Sequence, residues 1–97
     1  MVVGALLMTL HLPASHSLKD KRQVVRSLTE RVRHRFAVSV SEVDALDQWQ
    51  RCVIGLACVS NDVAHVDSVI ARAVDFLASG HEGAILLEYH TETIHAF

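Results

Sequence analysis

The chain has 97 residues, of which 51% are hydrophobic and 21% charged, and its formal net charge is −2. That length makes one domain, and that balance excludes a disordered chain. A domain of this size has little interior to spare for a deeply buried active site.

Val2 to Leu12 is a nearly continuous run of β-branched and large apolar residues. Its even positions (Gly4, Leu6, Met8, Leu10, Leu12) and its odd positions (Val3, Ala5, Leu7, Thr9, His11) are both mostly apolar. This predicts a central strand with both faces at least partly covered, ended by Pro13, which has no N–H to donate. The run is too short for a membrane span, which needs about 20 apolar residues. It also lacks a basic leader and a clean cleavage site, so it reads as a strand and not as a signal.

Ser17 follows as a helix N-cap, with Asp20 three residues on as a near match to a capping box. From there Leu18, Val25, Leu28 and Val32, with Val24 beside them, keep to one helical face. Lys19, Arg22, Arg26 and Arg33 keep to another, at intervals of three, four and seven. The stretch from residue 19 to 35 holds seven of the nine Lys and Arg residues against only Asp20 and Glu30, a formal +5. The rest of the chain carries a formal −7, with Arg51 and Arg72 against nine acids. The predicted helix therefore has an apolar edge, a basic outer stripe, and cations at its C-terminal end that suit the macrodipole.

Phe36 to Val43 alternates, with Val38 and Val40 on one side and Ser39 and Ser41 on the other, which predicts a half-buried strand. Asp44 to Asp47 is the connection. Trp49 to Val59 is apolar on both faces and reads as a second central strand, where Gly55 signals close approach of another group. Trp49 reads as a core or interface anchor. Ser60, Asn61 and Asp62 are N-cap residues. A second helix follows, with Val63, Val66, Ile70, Ala73 and Leu77 at three-four spacing, and it stops near Gly80. Ala84 to Ala96 is a last strand with a polar end.

The order β-α-β-β-α-β with right-handed crossovers gives a ferredoxin-like α+β sandwich over residues 1–97: one four-stranded antiparallel sheet with both helices on one face. The first and third strands are then central, in agreement with their two apolar faces. The other sheet face is left open and apolar, and such a patch marks an interface. A homodimer or another partner is expected there.

Three blocks, HSLKDKRQVVRSL (His16–Leu28), FAVSVSEVD (Phe36–Asp44) and WQRCVIGLACVSND (Trp49–Asp62), resemble the YlxP-like family of small bacterial domains of unknown function. The resemblance covers the first two thirds of the chain closely and the remainder less so. One departure is Ala37, where the family pattern often has Asn after the Phe. The resemblance implies a ferredoxin-like fold and a bacterial cytoplasmic protein, often encoded near translation and ribosome-maturation factors. It brings no established activity.

Cys52 and Cys58, six apart on one strand, would lie ~20 Å from each other, beyond the reach of a disulfide. Free thiols suit a cytoplasmic protein. The seven histidines form no HxxxH or HExxH pair and no Cys/His zinc spacing, so no metal is expected. His11 approaches the early part of the last strand if those strands pair antiparallel. Ser39, Ser41 and Glu42 lie near His34 but come with no nucleophile elbow, and they read as polar positions of the strand. Glu88 and Glu92, with Glu82 nearby, read as a polar strand face. No glycine-rich phosphate loop, RNP-type aromatic motif or GxxG loop of the KH type is present. The expectation is a small binding protein, not an enzyme, with no cofactor and no membrane contact. RNA or a ribosomal particle is the expected partner, met by Lys19, Lys21, Arg22, Arg26 and Arg33. The alternative is a homodimeric structural or small-ligand regulatory module using the open sheet face, with a merely solvated helix.

Overall fold

In a computed structural model that describes residues 1–97, the elements are β1 (Val2–His11), α1 (Leu18–Phe36), β2 (Ser39–Asp44), β3 (Arg51–Ser60), α2 (Val63–Ala78), a short 3-10 turn (His81–Gly83) and β4 (Ile85–His95). The strands form one antiparallel sheet in the order β2-β3-β1-β4. This is the ferredoxin-like arrangement. The two runs that are apolar on both faces are the two central strands; the helices cover one face, and on the other Leu7 of β1 and Val59 of β3 stay exposed.

The helix-facing residues of the central strands are Val2, Leu6, Met8 and Leu10 on β1, with Cys52, Ile54 and Leu56 on β3. They are buried against Val25, Leu28 and Val32 of α1 and Val66, Val69, Ile70, Ala73 and Leu77 of α2. The core therefore lies between the sheet and the helices. Gly4 sits on this face of β1, and a Cβ there would collide with Val66 Cγ1 of α2. Gly55 lies on the opposite face, where a Cβ would stand 2.9 Å from Val43 Cγ1. Its lack of a side chain makes room for Val43, which the bulge between Glu42 and Asp44 turns over the sheet.

The caps follow the local sequence. Ser17 Oγ accepts from Asp20 N at 3.0 Å, and Asp20 Oδ2 accepts in return from His16 N at 3.1 Å. Asp62 caps α2 by accepting from Ala64 N at 3.0 Å. The end of α1 differs from expectation. Phe36 belongs to the helix, and Ala37 is the left-handed cap at φ 52° and ψ 50°, its N–H donating to Arg33 O. Strand pairing starts only at Ser39, because a chain leaving a helix through a left-handed residue is not yet extended.

Two connections at one end of the sheet are tied together. Leu12 N donates to Gln50 O at 2.8 Å, and Gln50 Nε2 donates to Pro13 O and Ser15 O at 3.3 and 3.1 Å. These bonds hold the start of α1 against the β2–β3 connection. Trp49, in that connection, is 55% exposed and takes no part in the core. A bulge between Thr9 and Leu10 interrupts the pairing of β1 with β4, which forms an edge of the sheet with Leu87 and Tyr89 exposed.

Candidate nucleic-acid interface

At 1.5 Å rise and 100° per residue, Lys19, Arg22 and Arg26 form a row ~10 Å long on the side of α1 away from the core. All three are exposed, and none of their side chains makes an ion pair or hydrogen bond within the chain. Three cations with their full charge in water are the simplest arrangement that can meet successive phosphates.

Arg33 extends the same row but is already engaged. Its Nη2 donates to Val40 O on the edge strand β2 at 3.0 Å. The contact occupies a carbonyl that would otherwise offer itself to a foreign strand. Four donors of the guanidinium stay available, so Arg33 borders the row without being free in it.

Lys21 does not belong to the surface. Its residue exposure is 0%, Nζ donates to Ala45 O at 2.6 Å, and it pairs with Glu42 Oε2 at 2.7 Å. Glu42 Oε2 has no hydrogen-bond partner, so charge alone holds it to Lys21. Lys21 therefore cannot reach a phosphate. It pins α1 to the β2–β3 connection at Ala45, a residue in the left-handed region at φ 56° whose N–H is taken by Asp44 Oδ1 at 2.7 Å. Cys52 lies beside this pair. Burial first, and then the Glu42 charge, push its thiol from an ordinary 9.0 to about 12, while Lys21 pulls the other way. Cys58 is also raised, by burial, against a backbone hydrogen bond with Gly4. Both thiols are free.

Arg31, His34 and Arg35 lie on a different flank of α1, turned towards α2. Arg31 Nη2 is 3.1 Å from Glu82 Oε1, which also accepts from Ser27 Oγ at 2.7 Å. Glu82 thus sits in the 3-10 turn, not on a strand face. These three α1 side chains line a depression with Phe76 and His81. The i, i+4 spacing of Arg31 and Arg35 puts them on one side of the helix. Nothing in the sequence tells that Phe76 and His81 come to meet them.

The open sheet face carries Ser39 and Ser41, both exposed as the alternation requires. Leu7, Val43 and Val59 are 42%, 52% and 63% exposed there. A shallow depression of about 700 Å³ lies between β2 and β4, floored by Ala5, Leu7, Gly55 and Ala57 and edged by His90 and Glu92. His11 stands opposite Arg51 on one side and Ile85 at the start of β4 on the other, and its Nδ1 is 3.1 Å from Gln50 O. No group of three His, Cys, Asp or Glu side chains is close enough to hold a metal ion. No helix is long and apolar enough to cross a membrane.

Residues 3–90 match the model of a family described as a protein of unknown function, DUF503. The chain belongs to the DUF503 family. A curated relative from Bacillus subtilis (strain 168), the uncharacterized protein YlxP, is 38% identical over 63 residues, covering 65% of this chain and 68% of the relative. Among solved structures, the fold resembles the de novo designed protein Foldit4, with a TM-score of 0.54 at 11% identity over the whole of both chains. It also resembles a part of a VAO-type flavoprotein from Myceliophthora thermophila, with a TM-score of 0.55 at 15% identity. That match covers 96% of this chain but 16% of the flavoprotein. At such identities the two structures speak for the DUF503 fold alone. Ala37 adopts a left-handed backbone, which Asn or Gly tolerates better than Ala does.

Proposed function

We propose that this protein is a small, non-enzymatic cytoplasmic binding protein that docks on RNA or a ribosomal particle through the outer face of α1. The observation that supports the reading is the row of three exposed, unpartnered cations, Lys19, Arg22 and Arg26, in a chain that is otherwise acidic. Phosphate contacts release counterions, so the affinity falls with salt. The acidic remainder disfavours other approach directions and orients the encounter. Lys21 has no part in the contact, and Arg33 has a secondary one. Binding to ribosomal subunits and to structured RNA is measured as a function of salt. Three phosphate contacts correspond to a log–log slope of about −2 to −3. Arg22→Glu with Arg26→Glu abolishes the binding. Absence of salt-dependent binding in the parent protein refutes the proposal.

A second reading rests on Leu7, Val43 and Val59, exposed on the open sheet face. Exposed apolar residues of this kind suit a homodimer closing face to face. Light scattering distinguishes the two: a dimer that Leu7→Glu converts to monomer supports this reading, and a monomeric parent protein refutes it.

A further inference from the structure

The flank of α1 opposite the basic row carries a second, differently built surface. Ser27, Glu30, Arg31, His34 and Arg35 of α1 face Phe76 of α2 and His81 of the 3-10 turn around a depression of about 620 Å³. The imidazole of His81 is stacked on the Phe76 ring, with centroids 4.1 Å apart and planes inclined by 21°. The Arg35 guanidinium stands 5.3 Å from the centre of the same ring, and Phe36 meets it edge-on at 5.9 Å. No other ring or guanidinium stacks on His81, so its second face has no aromatic cover.

This geometry is imposed by the backbone. Gly80, Glu82 and Gly83 all have positive φ, at 81°, 57° and 72°, and the tight reversal they make folds His81 back over Phe76. Glu82 has a side chain and adopts this region against its preference. It is held there by a hydrogen bond from Ser27 and by Arg31, which offsets its charge, while Glu30 lines the depression without an ion-pair partner. Cations in the last turn of a helix offset its carbonyl end. That accounts for His34 and Arg35, but not for a histidine from another element held flat against a ring.

A flat ring beside guanidinium and imidazole groups, in a depression of the size that takes a small ligand, matches one class of molecule. We propose that this depression binds a nucleotide monophosphate unit, with the base stacked on His81 and the phosphate on Arg35 and His34. The unit is either a free nucleotide or an unpaired nucleotide of an RNA strand; only the second source rests on the RNA reading above.

The test uses the full chain at low salt, titrated with AMP, adenosine, inorganic phosphate and a short single-stranded adenine oligoribonucleotide, and read by backbone and His34 and His81 side-chain resonances. AMP shifts the signals of residues 80–83 and saturates, and inorganic phosphate binds at least about tenfold more weakly. His81→Ala loses about tenfold in AMP affinity, while His81→Phe, which keeps the stack, retains it. Arg35→Gln weakens both AMP and phosphate. Tighter binding of the oligonucleotide than of AMP assigns the site to an RNA strand, and equal binding assigns it to a free nucleotide. Arg22→Glu with Arg26→Glu leaves AMP binding intact even where it removes binding to RNA, which keeps the two surfaces separable. The proposal is overturned if AMP binds no better than inorganic phosphate, or if His81→Ala changes nothing.

Discussion

Replacing Lys21 by Met removes a buried charge while keeping most of the apolar stem. It strands two groups: the Ala45 carbonyl, which loses a 2.6 Å bond, and the Glu42 carboxylate, which loses its 2.7 Å partner. Removing one member of a buried pair costs about 3–5 kcal/mol. The Glu42 side chain keeps 15% exposure and can recover some hydration, so the expected loss is at the low end, about 3 kcal/mol. At ~4–8 °C per kcal/mol for a domain of this size, the midpoint falls by about 12–24 °C. Urea unfolding of Lys21→Met, Glu42→Leu and the double variant completes a cycle. Because well-packed apolar residues often replace a buried ion pair without loss, the double variant recovers most of the stability. The reasoning fails if Lys21→Met costs under about 1 kcal/mol, or if the two single effects simply add. RNA binding is the second arm. Below its melting temperature Lys21→Met binds as the parent does, and a loss equal to that of Arg22→Glu returns Lys21 to the surface.

The remaining predictions concern a thiol, a cap and a glycine. Cys52 is raised from 9.0 to about 12, so above pH 9 the unfolded chain binds fewer protons than the folded one and stability falls as pH rises. By pH 10 the loss is about 1.4 kcal/mol, absent in Cys52→Ala, and pH-dependent denaturation measures it. In the native state at pH 8, an alkylating reagent modifies Cys58 slowly and leaves Cys52 untouched, as mass spectrometry of peptides reads out. Ala37→Asn or Ala37→Gly relieves the left-handed cap and raises stability by about 0.5–1 kcal/mol in thermal unfolding. Gly4→Ala forces Val66 and α2 away from the sheet and costs about 1–3 kcal/mol in the same assay.

Much of the fold was legible because burial leaves a period in the chain. The doubly apolar runs around Leu6 and Ile54 gave the two central strands, and Ser17 and Asp62 marked the two helix starts. The place of Lys21 was legible too, though its charge concealed it. Leu18, Lys21, Val25, Leu28 and Val32 follow one three-four-three-four spacing, so Lys21 lies in the middle of the apolar stripe. Glu42 shares the parity of Val38 and Val40, the buried side of β2. Periodicity thus puts a lysine on the buried stripe of α1 and a glutamate on the buried side of β2, but not the contact between them. The net charge of α1 does not show this, because it carries no angles. The end of α1 was misplaced because Phe36 suits a strand as well as a helix, and Ala37 carries no left-handed signal of the kind Gly or Asn gives.

The sequence by itself determined the β-α-β-β-α-β order, the central strands, the core side of each helix and the outward direction of Lys19, Arg22 and Arg26. All of these depend on the residues of one element and on the angle between them. Tertiary structure alone decided what each cation meets. Lys21 and Arg31 are neutralised by carboxylates 21 and 51 residues away, Arg33 is engaged by a strand carbonyl, and Arg35 stands by a ring from the other helix. The physical reason is range. Periodicity is a property of neighbours along the chain, whereas ion pairing and stacking act over a few ångströms in space. The +5 of the sequence and the smaller charge that α1 shows to water differ by those long-range contacts.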